Sequence, residues 1–195
     1  GREKSATRTA QAARLRRVVV TEQPLTAETP VAALREPLTP TSAVFIRNHF
    51  RPPEVNRDDW KIDVVGGTAG PHSVALETLR QSPAVSVEAV LECAGNARDR
   101  FEPKTDGTPW GSGAASCVRW TGLPLRHVLE SAGVPAGAVE VYFEGADGAP
   151  TAARYARSLP IAKALDPDVL LAWSMNDRPL PRGFGGPLRL IVPGW

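Results

Sequence analysis

The chain has 195 residues, 42% apolar, 23% charged and 6% aromatic, a length for one domain or slightly more and an apolar share that excludes wholesale disorder. Its 17 glycines and 19 prolines argue against a helical bundle or coiled coil and for many turns and short elements. With 23 basic and 21 acidic side chains the net charge is +2, which gives no general nucleic-acid footprint.

Residues 1–42 read as an N-terminal arm, partly extended and rich in Ala, Thr, Pro and Arg, with one strand expected at 17–21 and little contribution to the core. Its basic residues Arg2, Lys4, Arg8, Arg14, Arg16 and Arg17 read as a solvated tail, the alternative being contact with nucleic acid or lipid. The first 20 residues hold no continuous apolar stretch of the signal-peptide kind. Residues 43–49 predict a buried strand. Trp60, Ile62 and Val64 alternate with Lys61, Asp63 and Val65 before Gly66 and Gly67, which predicts a half-buried strand and a turn. A short helix is expected over 76–81. A strand follows over 85–93, with Val85, Val87, Ala89, Leu91 and Cys93 on one face. Residues 124–132 predict a helix with proline in its first turn and Gly133 as its stop. Strands are expected at 139–143 and 169–173, a helical turn at 159–165 and a last strand at 188–192. Apolar runs such as 169–173 are far shorter than the roughly 20 residues of a membrane span. Strands and short helices mix without regular alternation, so the fold class is α+β, of mixed β-sheets with short helices.

Three stretches carry candidate chemistry. In Leu91-Glu92-Cys93-Ala94-Gly95-Asn96-Ala97-Arg98 a strand delivers a thiol to a turn, because Gly95 and Asn96 both tolerate positive φ. A thiolate is a soft metal ligand and a nearby guanidinium favours its charged form; the alternative is a buried Cys acting as a small hydrophobe. In Phe45-Ile46-Arg47-Asn48-His49-Phe50 a polar triad follows the apolar run. It is either a ligand-binding set, with Arg47 gripping an oxyanion, or a strand end reaching solvent. Asp147, in Glu144-Gly145-Ala146-Asp147-Gly148, suits a turn cap or a ligand contact. His49, His72 and His127 show no zinc spacing with each other or with the cysteines, and Cys93 and Cys117 are not a C-x-x-C pair. Whether the two cysteines are bridged is open at this stage. Gly183-Phe184-Gly185-Gly186 precedes a strand rather than opening a helix, so it is a poor phosphate cradle.

Taken in order, these pieces resemble the molybdopterin-binding domain of the sulfite oxidase family, over about 150 residues from near Phe45 onward. The R-N-H segment is Arg47-Asn48-His49 and the C-A-G-N signature is Cys93-Ala94-Gly95-Asn96. A W-x-x-G-A segment stands at Trp110–Ala114, followed by Arg119-Trp120-Thr121-Gly122 and Pro124–Leu129. Phe143–Asp147 matches F-E-G-x-D. Ser158-Leu159-Pro160, Lys163–Pro167, Met175-Asn176, Pro179–Pro181, Pro187-Leu188-Arg189 and Val192-Pro193-Gly194 complete the series.

The resemblance implies a molybdenum–molybdopterin cofactor with one pterin dithiolene per metal, and Cys93 as the protein's metal ligand. It implies Arg47 and Arg98 at the substrate anion, as the catalytic pair. Phe45, Ile46, Arg47, Asn48, His49, Asp147, Phe184 and Arg189 would border the cofactor. Two departures stand out. Many members carry two arginines after C-A-G-N, whereas here Ala97 precedes Arg98; and Gly183-Phe184-Gly185 stands where vertebrate and plant members carry D-H-G, so Phe184 replaces a histidine. The expected organisation is an arm at 1–42 and a molybdopterin-binding domain over 43–195. The family continues past the equivalent of Trp195 with a V-K-W segment and an immunoglobulin-like dimerisation domain, which carry a further Tyr and Arg of the site.

The implied activity is oxidation of sulfite to sulfate, with electrons leaving to an external acceptor such as a c-type cytochrome. Two other readings stay open: the same cofactor acting on another sulfur oxyanion, protein-bound sulfur, nitrate or a sulfoxide, and a cofactor-free scaffold. Expected partners are thus a small anionic substrate and an electron acceptor, with no nucleic acid, no membrane span and a homodimer through the C-terminal domain. A soluble protein is expected, periplasmic or cytoplasmic, and the Ala, Arg and Pro bias points to a bacterial source.

Overall fold

The computed structural model describes residues 16–147 and 154–195. Arg2, Lys4, Arg8 and Arg14 of the expected arm lie outside them. The described chain forms two compact units, each built from two separate stretches: 16–49 with 88–119, and 50–87 with 120–195.

In the first unit, β1 (Val18–Glu22) and β2 (Leu25–Glu28) form an antiparallel hairpin. β2 pairs on its other side with β3 (Ile46–Arg47), through Thr26 opposite Arg47 and Ala27 opposite Ile46. The expectation that residues up to 42 add little to the core is corrected: Thr26, Ala27, Thr29, Ala33 and Thr39 are all buried. Arg17 clamps the following loop, donating from Nε to the Val44 carbonyl at 2.6 Å and from Nη2 to the Thr41 carbonyl at 2.8 Å. Burial pulls its pKa below the usual arginine range. The strand expected over 43–49 is also corrected. Ala43–Ile46 are buried as foreseen, but only Ile46 and Arg47 join a ladder. The amides of Ala43 and Val44 bond instead to the Pro40 carbonyl, so these apolar residues are buried in a turn.

β6 (Val85–Glu92) alternates from Val87 onward as its sequence predicts, with Val87, Ala89 and Leu91 half-buried and Val90 and Glu92 exposed, whereas Val85, expected on the inner face, is exposed at the strand's first position. Beside it runs β7 (Ala115–Pro124), where Arg119 Nη2 meets Glu88 Oε1 at 2.7 Å. β7 is the longest strand and was not predicted. Its buried positions alternate, but two of them are Ser116 and Gly122, which interrupt the apolar signal.

In the second unit, β4 (Lys61–Val64) pairs with β5 (His72–Ala75), and α1 (Leu76–Arg80) follows. α2 (Leu125–Ala132) turns Leu125, Val128, Leu129 and Ala132 inward and ends at Gly133, whose φ is 71°. Pro124 is its N-cap rather than a first-turn residue. β8 (Glu140–Glu144) pairs with β9 (Ala156–Pro160), and α3 (Ile161–Ala164) follows. The helical turn expected at 159–165 is therefore shorter: Leu159 and Pro160 belong to β9, because Leu159 pairs with Val141 and turns into the core. β10 (Leu170–Met175) is the centre of this unit's sheet. It pairs with residues 120–124 of β7, with β11 (Arg178–Pro179) and with β12 (Arg189–Ile191), all antiparallel. Leu123, Leu125, Leu129, Val169 and Leu171 form the core with Leu79 and Leu159. Mixed sheets with short helices are the expected α+β class. No helix among the described residues is long and apolar enough to cross a membrane.

Two substitutions test this packing. A Cβ at Gly122 would lie 2.6 Å from the Ala172 Cα and 2.7 Å from the Leu171 carbonyl carbon, both β10 backbone. Gly122→Ala should therefore cost about 3 kcal/mol in chemical denaturation. Asp166 is held below the ordinary carboxylate range, first by the Asp168 amide and then by the Lys163 ammonium at 3.0 Å. A folded-state pKa below the unfolded one stabilises at neutral pH, and this contribution disappears as pH falls through the folded value. The melting-temperature gap between the parent and Asp166→Ala should be present at pH 7 and close as the pH drops below about 4.

Candidate active site

β6 ends by presenting Cys93 to a tight turn. The Cys93 carbonyl accepts the Asn96 amide at 2.8 Å, and the Gly95 carbonyl accepts the Arg98 amide at 3.1 Å. Ala97 adopts left-handed backbone geometry, φ 63°, which a non-glycine residue holds only when its surroundings impose it. Those surroundings are the stretch 110–114. Amides of Cys93, Ala97 and Asp99 donate to the carbonyls of Ala114, Gly111 and Trp110 at 2.9, 2.6 and 3.0 Å. The Asn96 side chain completes the lock, accepting the Ala114 amide at 3.1 Å and donating to Glu92 at 2.9 Å.

Cys93 and Cys117 are both free thiols, each half-buried. Cys93 packs against the cluster of Phe45, Trp110 and Ala114, where the Phe45 and Trp110 rings meet edge to face with centroids 6.2 Å apart. Arg98 turns its guanidinium back over this turn. A Cβ at Gly95 would lie 2.6 Å from its Nη2, and one at Gly107 would meet its Nη1 as closely. Nη1 donates to the Thr108 carbonyl at 3.1 Å.

The Phe45 cluster also anchors the R-N-H segment. The buried Phe45 amide is held by Thr29 Oγ1 at 2.9 Å and Ser116 Oγ at 3.0 Å, and the two hydroxyls are 2.7 Å apart. Two residues on, Arg47 is exposed and donates from Nη2 to His49 Nδ1 at 3.3 Å. Asn48 is half-buried, whereas the side chains of Phe45 and Ile46 are buried.

The other predicted residues gather within the second unit. Arg189 Nη1 donates to the Phe184 carbonyl at 3.0 Å, and its guanidinium lies 5.3 Å from the Trp120 ring centroid. Burial pulls the Arg189 pKa down, opposed by Tyr155 nearby. Tyr155 in turn bonds to Gly145, and its amide donates to the Asp147 carbonyl at 3.4 Å. Phe184 is a buried side chain. Two separate ties result: the Tyr155 backbone to Gly145 and Asp147, and the Phe184 carbonyl to Arg189. Sequence reasoning missed Tyr155, Thr29 and Ser116. The last two carry no motif, and only their buried hydroxyls reveal a role.

Residues 49–195 match the family model described as the oxidoreductase molybdopterin binding domain. The chain is 40% identical over 179 residues to the mitochondrial sulfite oxidase of Drosophila melanogaster, covering 89% of this chain and 31% of that protein. It is 36% identical over 186 residues to nitrate reductase [NADH] 2 of Phaseolus vulgaris, covering 89% and 21%. Among solved structures it resembles the sulfane dehydrogenase SoxCD of Paracoccus pantotrophus, with a TM-score of 0.81 and 31% identity, covering 95% of this chain and 48% of that one. The chain spans about a third of the length of the sulfite oxidases it matches.

The residues present fit a molybdenum–molybdopterin group. Cys93 is a single soft donor at a strand end, and among the described residues no cluster of three His, Cys, Asp or Glu side chains could hold a metal alone. A metal taking one protein thiolate and its remaining sulfurs from a pterin needs only that donor. The bare faces of Gly95 and Gly107 form a cradle for the Arg98 guanidinium, whose Gly95 side lies two residues beyond Cys93.

That cradle is testable. Gly95→Ala should drive the Arg98 guanidinium away from the Thr108 carbonyl, visible in a crystal structure of the variant, while the melting temperature moves by only a few degrees. An unmoved Arg98 would show that the glycine faces are not what positions it.

Proposed function

The chain belongs to the oxidoreductase molybdopterin-binding domain family, and we propose that it serves the oxidation of sulfite to sulfate. Water supplies the added oxygen, two protons are released, and two electrons leave singly to an external carrier such as a c-type cytochrome. Bound molybdenum–molybdopterin supplies the oxygen-atom-transfer chemistry, as cofactors do for reactions beyond side-chain reach. Cys93 is the residue that would hold the metal. Asp147 and Arg189 would hold the pterin, with Phe184 and the 45–49 segment bordering it.

The observation that carries this reading is the free Cys93 thiol in the same locked turn as Arg98. The Thr108 carbonyl takes one N–H of the Arg98 guanidinium, which has five donors, so the rest can meet an anion. Sulfite offers little apolar surface, and charge-assisted hydrogen bonds must carry its recognition at about 1.5–3 kcal/mol each. Arg47 is exposed and serves the same anion, oriented by His49. The 40% identity with a sulfite oxidase supports the substrate.

A second reading keeps the cofactor and changes the substrate to nitrate or a reduced sulfur compound. Ala97 favours it, because it places no charge where many family members carry a second arginine, and so does the likeness to a nitrate reductase and a sulfane dehydrogenase.

In cofactor-loaded protein, Arg98→Gln should lower kcat/KM for sulfite by about one to two decades with molybdenum content unchanged. Cys93→Ser should abolish activity with the fold retained, whereas replacing Cys117 should not. Parent-like kcat/KM for sulfite in both Arg98→Gln and Arg47→Gln would show that the pocket lies elsewhere or that sulfite is not the substrate. A molybdenum-to-chain ratio near zero, after expression in a cofactor-competent host, would favour a scaffold.

A further inference from the structure

The stretch that locks the Cys93–Arg98 turn is itself held from behind by a carboxylate that no motif contains. Glu28, the last residue of β2, is half-buried and accepts the Gly111 amide on its side chain. Both of its oxygens lie over Gly111, 3.1 Å from where a Cβ would stand. The Glu28 Cβ itself would be 2.7 Å from a Cβ at Gly113. The next residue continues the seam, its Thr29 amide donating to the Gly113 carbonyl at 2.8 Å. Gly111 is therefore gripped at both ends. Its amide goes to Glu28, and its carbonyl accepts the amide of Ala97, the residue held in left-handed geometry immediately before Arg98.

We propose that Glu28 is a positioning residue for Arg98: its carboxylate fixes Gly111, which fixes the backbone of Ala97 and so the direction in which the substrate-binding guanidinium leaves the chain. Gly111 and Gly113 are glycines for the same reason, since any side chain there would displace the carboxylate or its backbone. A hydrogen bond from an amide to a charged acceptor is stronger than one between neutral groups, which suits a contact that must hold a left-handed alanine in place. The link to substrate rests on the reading that Arg98 binds the anion; the link to Ala97 does not.

The test uses the full chain and two readouts. The first is hydrogen exchange of residues 93–101, with 170–175 on β10 as internal control. Glu28→Ala should speed exchange at the Ala97 amide at least tenfold and leave β10 unchanged. Glu28→Gln keeps an acceptor oxygen at the same reach and should restore protection to within about threefold of the parent. Should the alanine variant fail to fold, Glu28→Asp carries the comparison. It is one methylene short of Gly111 and must exchange faster at Ala97 than Glu28→Gln. The second readout is sulfite kinetics of the loaded protein, where Glu28→Ala should raise KM more than it lowers kcat and Glu28→Gln should recover both. Unchanged Ala97 exchange in Glu28→Ala overturns the proposal, as does a Glu28→Gln variant no better than alanine or aspartate. If Ala97 exchange responds as expected but Arg98→Gln turns over sulfite like the parent, the assignment of Arg98 to the substrate anion fails while the grip of Glu28 on the turn stands.

Discussion

The buried amide of Phe45 is the point on which the first unit depends. Two hydroxyls, Thr29 Oγ1 and Ser116 Oγ, meet each other and that one N–H in a dry setting. They come from the residue after β2 and from the start of β7, so one knot joins the N-terminal hairpin, the segment leading to Arg47 and a strand of the sheet. Leaving a buried amide unpaired costs about 1–3 kcal/mol. The chain therefore has a strong reason to keep these stretches in register. Once they are, the Phe45 ring lies against Trp110 and Cys93, and the metal-ligand candidate inherits its surroundings from the knot.

Backbone amides and carbonyls, more than side chains, shape the candidate site. Three amide–carbonyl pairs zip the Cys93 turn to 110–114, and side chains add to them at Asn96, Arg100 and Glu28. The two arginines assigned to different tasks are held differently. Arg98 rests on glycine faces with one carbonyl partner, open to a further anion. Arg189 is packed over Trp120 and tied to a backbone carbonyl, and burial lowers its pKa. A guanidinium in such a place suits a fixed negative group more than a passing one.

Legibility in the sequence followed the physical source of each feature. β6 and β4 were readable because one face of each is apolar and the other polar. α2 was readable from its apolar spacing and Gly133. β7 was not, because close backbone approach at Gly122 and a hydrogen-bonding role at Ser116 put small residues where an apolar pattern expects bulk. Residues 43–49 misled in the opposite sense: an apolar run shows burial but cannot tell a strand from a turn fastened to Pro40. Cys93, Arg98 and Arg47 were reached through ordered motifs. Glu28 was invisible, being a lone acid whose partner lies 83 positions away.

Each unit is assembled from two stretches interrupted by part of the other. For a chain made from its N-terminus this has a temporal meaning. Thr29 meets Ser116 across 87 positions, and at about 5–20 residues per second the ribosome needs roughly 4–17 s to supply the second hydroxyl after the first. Until then β1, β2 and the two-residue β3 form a small three-stranded sheet whose Phe45 amide lacks the Ser116 hydroxyl. The first unit thus cannot close in passing as its opening residues emerge. Its small sheet must wait for a stretch encoded far downstream, a topology that favours slow folding.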